Sequence, residues 1–196
     1  MGRQADEVGT SRSNRTACSW GVGERMLGLL RAGHSPDEVQ RAEWLRGTVP
    51  PGLLGTRLLK GLGAQLEPIM AALPAEAAAP LQHHDIAVDC GPVRVVGRVA
   101  TQQQLVLQAT FAKPSESRRI EAWLRLLALC AADDRDWTAM LVAHGGAALR
   151  LQGLDQPTAS ALLGSLGAAL PHRSRTAGAP AAAVRCPCGA AARFRR

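Results

Sequence analysis

From Ile86 onward the chain alternates. Ile86, Val88 and Cys90 are apolar at every second position, with Ala87 and Asp89 between them. Val93, Val95 and Val99 alternate in the same way with Arg94 and Arg98, and Leu105, Leu107, Ala109 and Phe111 with Val106, Gln108 and Thr110. A period of two belongs to a strand with one buried face, so the pattern predicts three consecutive strands. At Glu116 the period changes: Ile120, Trp123, Leu124 and Leu127 recur at helical spacing, behind Pro114 as breaker and Ser115 as N-cap. Asp133, Asp134, Arg135 and Asp136 read as a polar turn, and Trp137 to Ala143 as a fourth strand.

The flanking segments extend the pattern. Residues 1–19 have no apolar period and are expected to be disordered. Trp20 to Arg31 predicts a helix carrying Met26, Leu27, Leu29 and Leu30, stopped by Gly33. Ser35, Pro36, Asp37 and Glu38 have the chemistry of a helix start, with a capping hydroxyl, a proline and an acid three residues on. That helix should run to about Arg46 and bury Val39, Ala42 and Trp44 or Leu45. After the turn Gly47 to Gly52, with Pro51 able to open the next helix, a third helix should present one wide apolar face. It would carry Leu53, Leu54, Leu58, Leu59, Leu62, Leu66, Ile69, Met70 and Leu73, be weakened at Gly61 and Gly63, and be bent or split by Pro68. Pro74 to Pro80 reads as a linker. Beyond the fourth strand, Ala148 to Gly153 predicts an edge strand, and Asp155 a cap for a last helix to about Leu170, with Leu162, Leu163, Leu166 and Leu170 as its stripe. Residues 171–196 are dominated by Arg, Ala, Pro and Gly, cannot bury enough surface to offset their ordering entropy, and are expected to be disordered. The folded domain is therefore placed at residues 20–170.

A chain of 196 residues is long enough for one such domain with a stable core. The formal charge of +7 changes the picture only once it is located. Residues 20–170 carry 14 basic and 14 acidic side chains, the tail 171–196 carries six arginines and no acid, and residues 1–19 add +1. The body offers no net field for nucleic acid or an acidic membrane, so a phosphate-binding argument applies to the tail alone. The skew of 21 arginines against two lysines reflects GC-rich coding rather than function. The cysteines, Cys18, Cys90, Cys130, Cys186 and Cys188, lack framework spacing, and buried reduced thiols at Cys90 and Cys130 fit the cytosol. Without an apolar leader or membrane span, a cytoplasmic protein is expected.

Helix, three-strand meander, helix, strand is the order of the core shared by the PD-(D/E)XK nucleases. Active members hold Mg²⁺ with carboxylates on the second and third strands, because hard cations need oxygen ligands, and a nearby Lys helps position the attacking water. Here the second strand ends Gly97-Arg98-Val99-Ala100-Thr101, with Ala or Thr where the metal-binding Asp is expected, and no carboxylate occurs between Gly91 and Pro114. Lys113 follows the third strand with Phe111, not an acid, two residues before it. The expected fold class is thus α/β: a degenerate nuclease-like core with extra N-terminal helices and disordered ends, and with no catalytic residue, metal site or cofactor.

Other constellations carry less. His83, His84, Asp85 and Asp89 are adjacent or alternating strand residues whose histidines point to opposite faces, so a solvated strand start is expected rather than a metal site. Cys186-Pro187-Cys188 lacks a second ligand pair. Gly21-Val22-Gly23 is followed by no Lys-Ser/Thr, His144 has no nucleophile elbow, and Asp133, Asp134 and Asp136 suit a solvated turn. Arg94 and Arg98 on the second strand, Lys113, and Arg118 and Arg119 at the helix start are the candidate DNA or partner contacts, weighed against an exposed charged face.

Arg46-Gly47-Thr48-Val49-Pro50-Pro51-Gly52-Leu53-Leu54-Gly55, then Ala122-Trp123-Leu124-Arg125-Leu126-Leu127-Ala128-Leu129, then Asp136-Trp137-Thr138-Ala139 carry a family resemblance. Residues 20–170 resemble the C-terminal region of the bacterial exodeoxyribonuclease V gamma subunit, RecC. The first block is the specific one. The resemblance implies a nuclease-like fold without catalytic carboxylates, a structural role in the RecBCD helicase–nuclease during double-strand break repair by homologous recombination, and RecB and RecD as partners. It implies contact with duplex DNA ends through that complex, and neither a membrane nor a small-molecule substrate. Members of the family are several times longer, so the chain is expected to be a truncated or frameshifted RecC fragment with an out-of-frame tail. Two alternatives stay open: an independent metal-dependent nuclease, and a small DNA-binding module using the arginine tail.

Overall fold

The structure is a computed structural model that describes residues 7–91, 93–169 and 193–195, with side chains from Ser19 to Ala169 except Pro92. Its elements run α1 (Glu7–Arg31), α2 (Pro36–Leu45), α3 (Leu53–Ala71), β1 (Leu81–Cys90), β2 (Val93–Gln102), β3 (Leu105–Ala109), α4 (Glu116–Ala132), β4 (Thr138–Ala143), β5 (Ala147–Gln152), α5 (Gln156–Ala169) and β6 (Arg193–Arg195). The α/β class and the predicted order of helix, three-strand meander, helix and strand are both present. The strands form one sheet in the order β1-β2-β3-β4-β5. β1 and β2 pair antiparallel from Leu81↔Gln102 to Cys90↔Val93. Gln103, at φ 56, takes the left-handed conformation that a two-residue turn into β3 demands. Backbone bonds from Thr138 to Gln104, Thr110 to Val142 and His144 to Ala112 advance in the same direction along both chains, so β4 runs parallel to β3 and α4 is their crossover. β6 pairs antiparallel with Arg94–Val96 of β2, within the stretch expected to be disordered; residues 170–192 lie outside the described residues.

The fold divides into two compact units: the chain up to Ala77 with Ala109–Ser115 and Val142–Ala148, and Ala78–Gln108 with Glu116–Leu141 and the chain from Leu149. In the first, Val22, Met26 and Leu27 of α1, Val39 of α2, and Leu59, Leu62, Leu66 and Ile69 of α3 are buried. α1 begins at Glu7 rather than Trp20. It ends as predicted at Gly33, which takes φ 92 while its own N–H and that of His34 close onto Leu30 and Leu29. The α2 start is a full capping box: Ser35 Oγ accepts from the Glu38 N–H and the Glu38 carboxylate accepts from the Ser35 N–H. α3 is continuous through Pro68 and is not split there, although the proline gives up its own bond to the carbonyl one turn back.

Helix α2 departs most from its pattern. Neither Trp44 nor Leu45 is buried; Glu43 is, fully, and Leu53 and Leu54 at the start of α3 are exposed as well. The tight turn between the helices explains this. Gly47 and Gly52 take φ 70 and φ 71, and a Cβ on Gly55 would collide with the Pro50 carbonyl oxygen and meet the Trp44 ring at 2.8 Å. The turn folds back against its own backbone, which turns the flanking leucines outward. Gly55→Ala should therefore cost about 1–3 kcal/mol, the range for overpacking, in urea unfolding; a loss below about 0.5 kcal/mol, the level of a neutral surface change, would mean that Pro50 yields easily.

The second unit packs one face of its strands against α4 and α5. Its core joins Ile86, Cys90, Val93, Val95, Val99 and Val106 to Leu126 through Ala131, Trp137, Ala139, Ala159 and Leu163. The helix stripes match prediction only in part: Leu127 on α4 and Leu163 on α5 are buried as expected. Ile120 is exposed, Trp123 and Leu124 are half-buried, and the C-terminal half of α4 is buried on every side. On α5 the buried face is Ala159, Leu163, Gly164 and Gly167, with Leu166 exposed; Leu170 lies outside the described residues. A Cβ at Gly164 would meet the Cys90 carbonyl oxygen at 2.7 Å and one at Gly167 would strike Val93, so small residues let this helix approach the strands closely. Burial pushes the Cys90 and Cys130 thiols up, which keeps both protonated and unreactive at neutral pH. No helix among the described residues is long and apolar enough to cross a membrane.

Candidate functional site

The ends of β2 and β3 were the positions of interest, and ordinary structural side chains hold both. At the end of β2, Thr101 is buried and its Oγ1 lies 3.0 Å from His84 Nε2. The His84 ring stands edge-on to Trp137 at 5.1 Å between centroids. His83, its neighbour on β1, is exposed, as opposite strand faces require. His84 is thus half-buried and engaged, not part of a solvated strand start. Beyond β3, the buried Thr110 donates to the Glu24 carboxylate of α1, which also accepts the Phe111 N–H at 3.1 Å. The Phe111 ring lies against the α1 backbone so closely that a Cβ on Gly23 would sit 2.5 Å from it, which is what Gly21-Val22-Gly23 is for. His144 meets that ring edge-on at 5.5 Å. Among the described residues no three His, Cys, Asp or Glu side chains gather where they could hold a metal ion.

The candidate basic contacts fall into three places. Arg94 and Arg98 lie on one exposed face of β2, each directly opposite a carboxylate of β1. Arg98 donates to both oxygens of Asp85, at 2.7 and 3.2 Å, and Arg94 Nε lies 3.6 Å from Asp89. These cross-strand pairs balance the charge that a phosphate would need. Arg118 and Arg119 occupy the first turn of α4, Arg118 half-buried and Arg119 paired with Glu116 at 3.2 Å. Lys113 is exposed in the segment leading to α4.

A cluster that the pattern did not announce lies in the first unit. Glu43, wholly buried, accepts from Arg25 Nε at 3.0 Å and from the second guanidinium nitrogen at 2.7 Å, a two-point clamp. Arg46 Nε approaches the other side at 3.4 Å, and Thr48 Oγ1 donates at 3.4 Å. Hydrogen bonding to Glu43 raises Arg25 above the ordinary arginine range. Arg46 and Thr48 belong to the block with the strongest family signal, so that block is a turn anchored on one buried carboxylate. Helical spacing gave no hint of it, since the expected buried positions were Val39, Ala42 and Trp44 or Leu45, not Glu43.

Residues 14–176 match the family described as the RecC C-terminal domain. This chain belongs to that family. Relatives named RecBCD enzyme subunit RecC are 34% identical over 126 residues in Mycobacterium tuberculosis, covering 63% of this chain, and 34% identical over 143 residues in Mycolicibacterium smegmatis, covering 70%. The chain spans only 12% and 13% of the length of those RecC proteins. The match takes in the three blocks that carried the resemblance, at 46–55, 122–129 and 136–139, and the β1–β3 meander as well.

Three acids of this RecC-family domain are held below the ordinary carboxylate range. The Ser35 N–H and hydroxyl lower Glu38, Arg98 lowers Asp85, and Thr158 lowers Asp155, whose carboxylate caps α5. A folded-state pKa below the unfolded one adds stability that is fully present above the unfolded value and lost as pH falls through the folded value. The contribution of these three acids should accordingly be constant from neutrality down to about pH 4.5 and decline below it. Replacing Glu38, Asp85 and Asp155 by their amides should flatten that acid limb in urea titrations; an unchanged limb would place the acid sensitivity elsewhere.

Proposed function

We propose that this chain is a non-catalytic structural and interaction domain of a RecBCD-type helicase–nuclease, which processes double-strand breaks for homologous recombination. One observation carries the reading: the match to the RecC C-terminal domain over residues 14–176 coincides with strands that bear no carboxylate between Gly91 and Pro114. The element order and the parallel pairing of β3 with β4 support a degenerate PD-(D/E)XK nuclease-like core. Near the end of β2, where an active member of that fold would be expected to carry a metal-binding acid, Thr101 serves His84, and beyond β3 Thr110 serves Glu24. RecB and RecD are the proposed partners, and duplex ends reach this domain through the complex. Lys113, Arg118, Arg119, Arg94 and Arg98 are the proposed contacts; Arg94, Arg98 and Arg119, each already paired with a carboxylate, would add less than Lys113.

A tagged chain mixed with RecB and RecD should retain both on an affinity resin. Retention of neither would overturn the reading. Linear duplex DNA incubated with the chain alone and Mg²⁺ should remain intact, because no carboxylate between Gly91 and Pro114 supplies an oxygen ligand for the metal. Digestion abolished by EDTA would reinstate an independent nuclease.

A further inference from the structure

Nine large apolar side chains are exposed among the described residues, and four of them fall between Trp44 and Leu54. Leu45 is 78% exposed, Leu53 77%, Leu54 70% and Trp44 40%. Single exposed leucines are ordinary, but a cluster of this kind marks a contact surface. Trp44, Leu45 and Arg41 of α2 line a cavity of about 530 Å³ with Thr56 and Leu59 of α3. Gln40 borders both this cavity and a second of about 560 Å³, floored by Met26, Leu30, Val39 and Met70 with Lys60 at its rim. Both cavities lie along α2 and α3 and meet at Gln40, and we read them as one trough whose second half is floored in part by methionines that adapt to varied apolar partners.

Basic side chains are in excess around the leucine cluster. Arg41, Arg57 and Lys60 are exposed, and none forms an ion pair among the described residues. Leu53, Arg57 and Lys60 follow one another at helical spacing, so the basic groups stand beside the exposed leucines. Glu43, which would offset them, is buried and committed to Arg25 and Arg46. Glu67 lines the second cavity together with Lys60, and Asp37 precedes Arg41 by one helical turn, so the basic excess is confined to the leucine end, at Arg41 and Arg57.

Resting on the reading of this chain as an interaction domain, we propose that the trough binds an acidic amphipathic helix of a partner protein. Its apolar stripe would cover Leu45, Leu53 and Leu54, and its carboxylates would face Arg41, Arg57 and Lys60. The charge pattern selects this occupant. An apolar floor is wasted on a phosphate backbone, and a second copy of the same face would set like charges against each other.

The test uses the full chain and a fluorescein-labelled peptide with Leu on one helical face and Glu on the other, read by anisotropy. Saturable binding is expected, with no binding of the same peptide carrying Lys for Glu. Leu45→Ser with Leu53→Ser, and separately Arg41→Glu with Arg57→Glu, should each weaken binding by about tenfold or more while circular dichroism and Tm stay unchanged. Equal binding of the lysine peptide, or unaltered affinity in either pair, overturns the proposal. So does self-association through this face in light scattering that the acidic peptide fails to compete. Peptide binding without retention of RecB and RecD would sink the assembly reading and leave the trough standing; the reverse would sink the trough alone.

Discussion

Arg25→Ala should destabilise the first unit by about 3 kcal/mol in urea unfolding, close to the cost of breaking a buried ion pair by removing one partner. Glu43 is fully buried, while Arg25 keeps 36% of its side chain in solvent. The asymmetry decides the sign and the size. Losing the arginine strands a desolvated carboxylate with only Arg46 at 3.4 Å and a hydroxyl at 3.4 Å, whereas losing the carboxylate frees two arginines to hydrate. Glu43→Gln should accordingly cost less than Arg25→Ala. Arg25→Lys should recover only part of the loss, because an ammonium cannot reproduce the fork that reaches both oxygens. A cost below about 1 kcal/mol for Arg25→Ala, typical of a surface pair, would mean that water enters the site and carries the charge.

Trp137→Ala should cost about 3–5 kcal/mol, the range for deleting a buried aromatic side chain. Trp137 is 1% exposed at the centre of the second unit's core, with the His84 ring edge-on to it and the Arg135 guanidinium 4.9 Å from its ring centre. Its Nε1 meets no acceptor among the described residues. An unmet buried donor costs about 1–3 kcal/mol, so Trp137→Phe removes a penalty while it opens a small void. The phenylalanine variant should therefore lose about 1 kcal/mol, far less than the alanine variant. If the two substitutions cost the same, the indole nitrogen is satisfied by a bound water and the aromatic volume matters little.

Much of the fold was legible because short-range periodicity sets it. The alternation of valines predicted β2, the Ser35 to Glu38 cluster predicted the α2 start, and Asp155 predicted the cap on α5. Boundaries were less legible. Helix α1 extends back to Glu7 through residues with no apolar period, and β1 starts at Leu81 rather than Ile86, paired to β2 along its whole length. The buried stripes of α4 and α5 were legible at Leu127 and Leu163 but not in full, since apolar periodicity cannot show that Gly164 and Gly167 bring α5 close to its strands. The absence of acids from Gly91 to Pro114 was plain in the sequence, and so was the family block around Pro50.

By itself the sequence determined the kind and order of the elements, and the lack of carboxylates on β2 and β3. Those depend on residue type and near-neighbour spacing. Tertiary structure alone decided that Glu43 is buried while Leu45, Leu53 and Leu54 face solvent, and that Asp85 and Asp89 cancel Arg98 and Arg94. Burial and charge pairing depend on which distant segments meet: a glycine turn packed on a proline carbonyl overrides a helix's own apolar preference, and strand register sets each aspartate opposite its arginine.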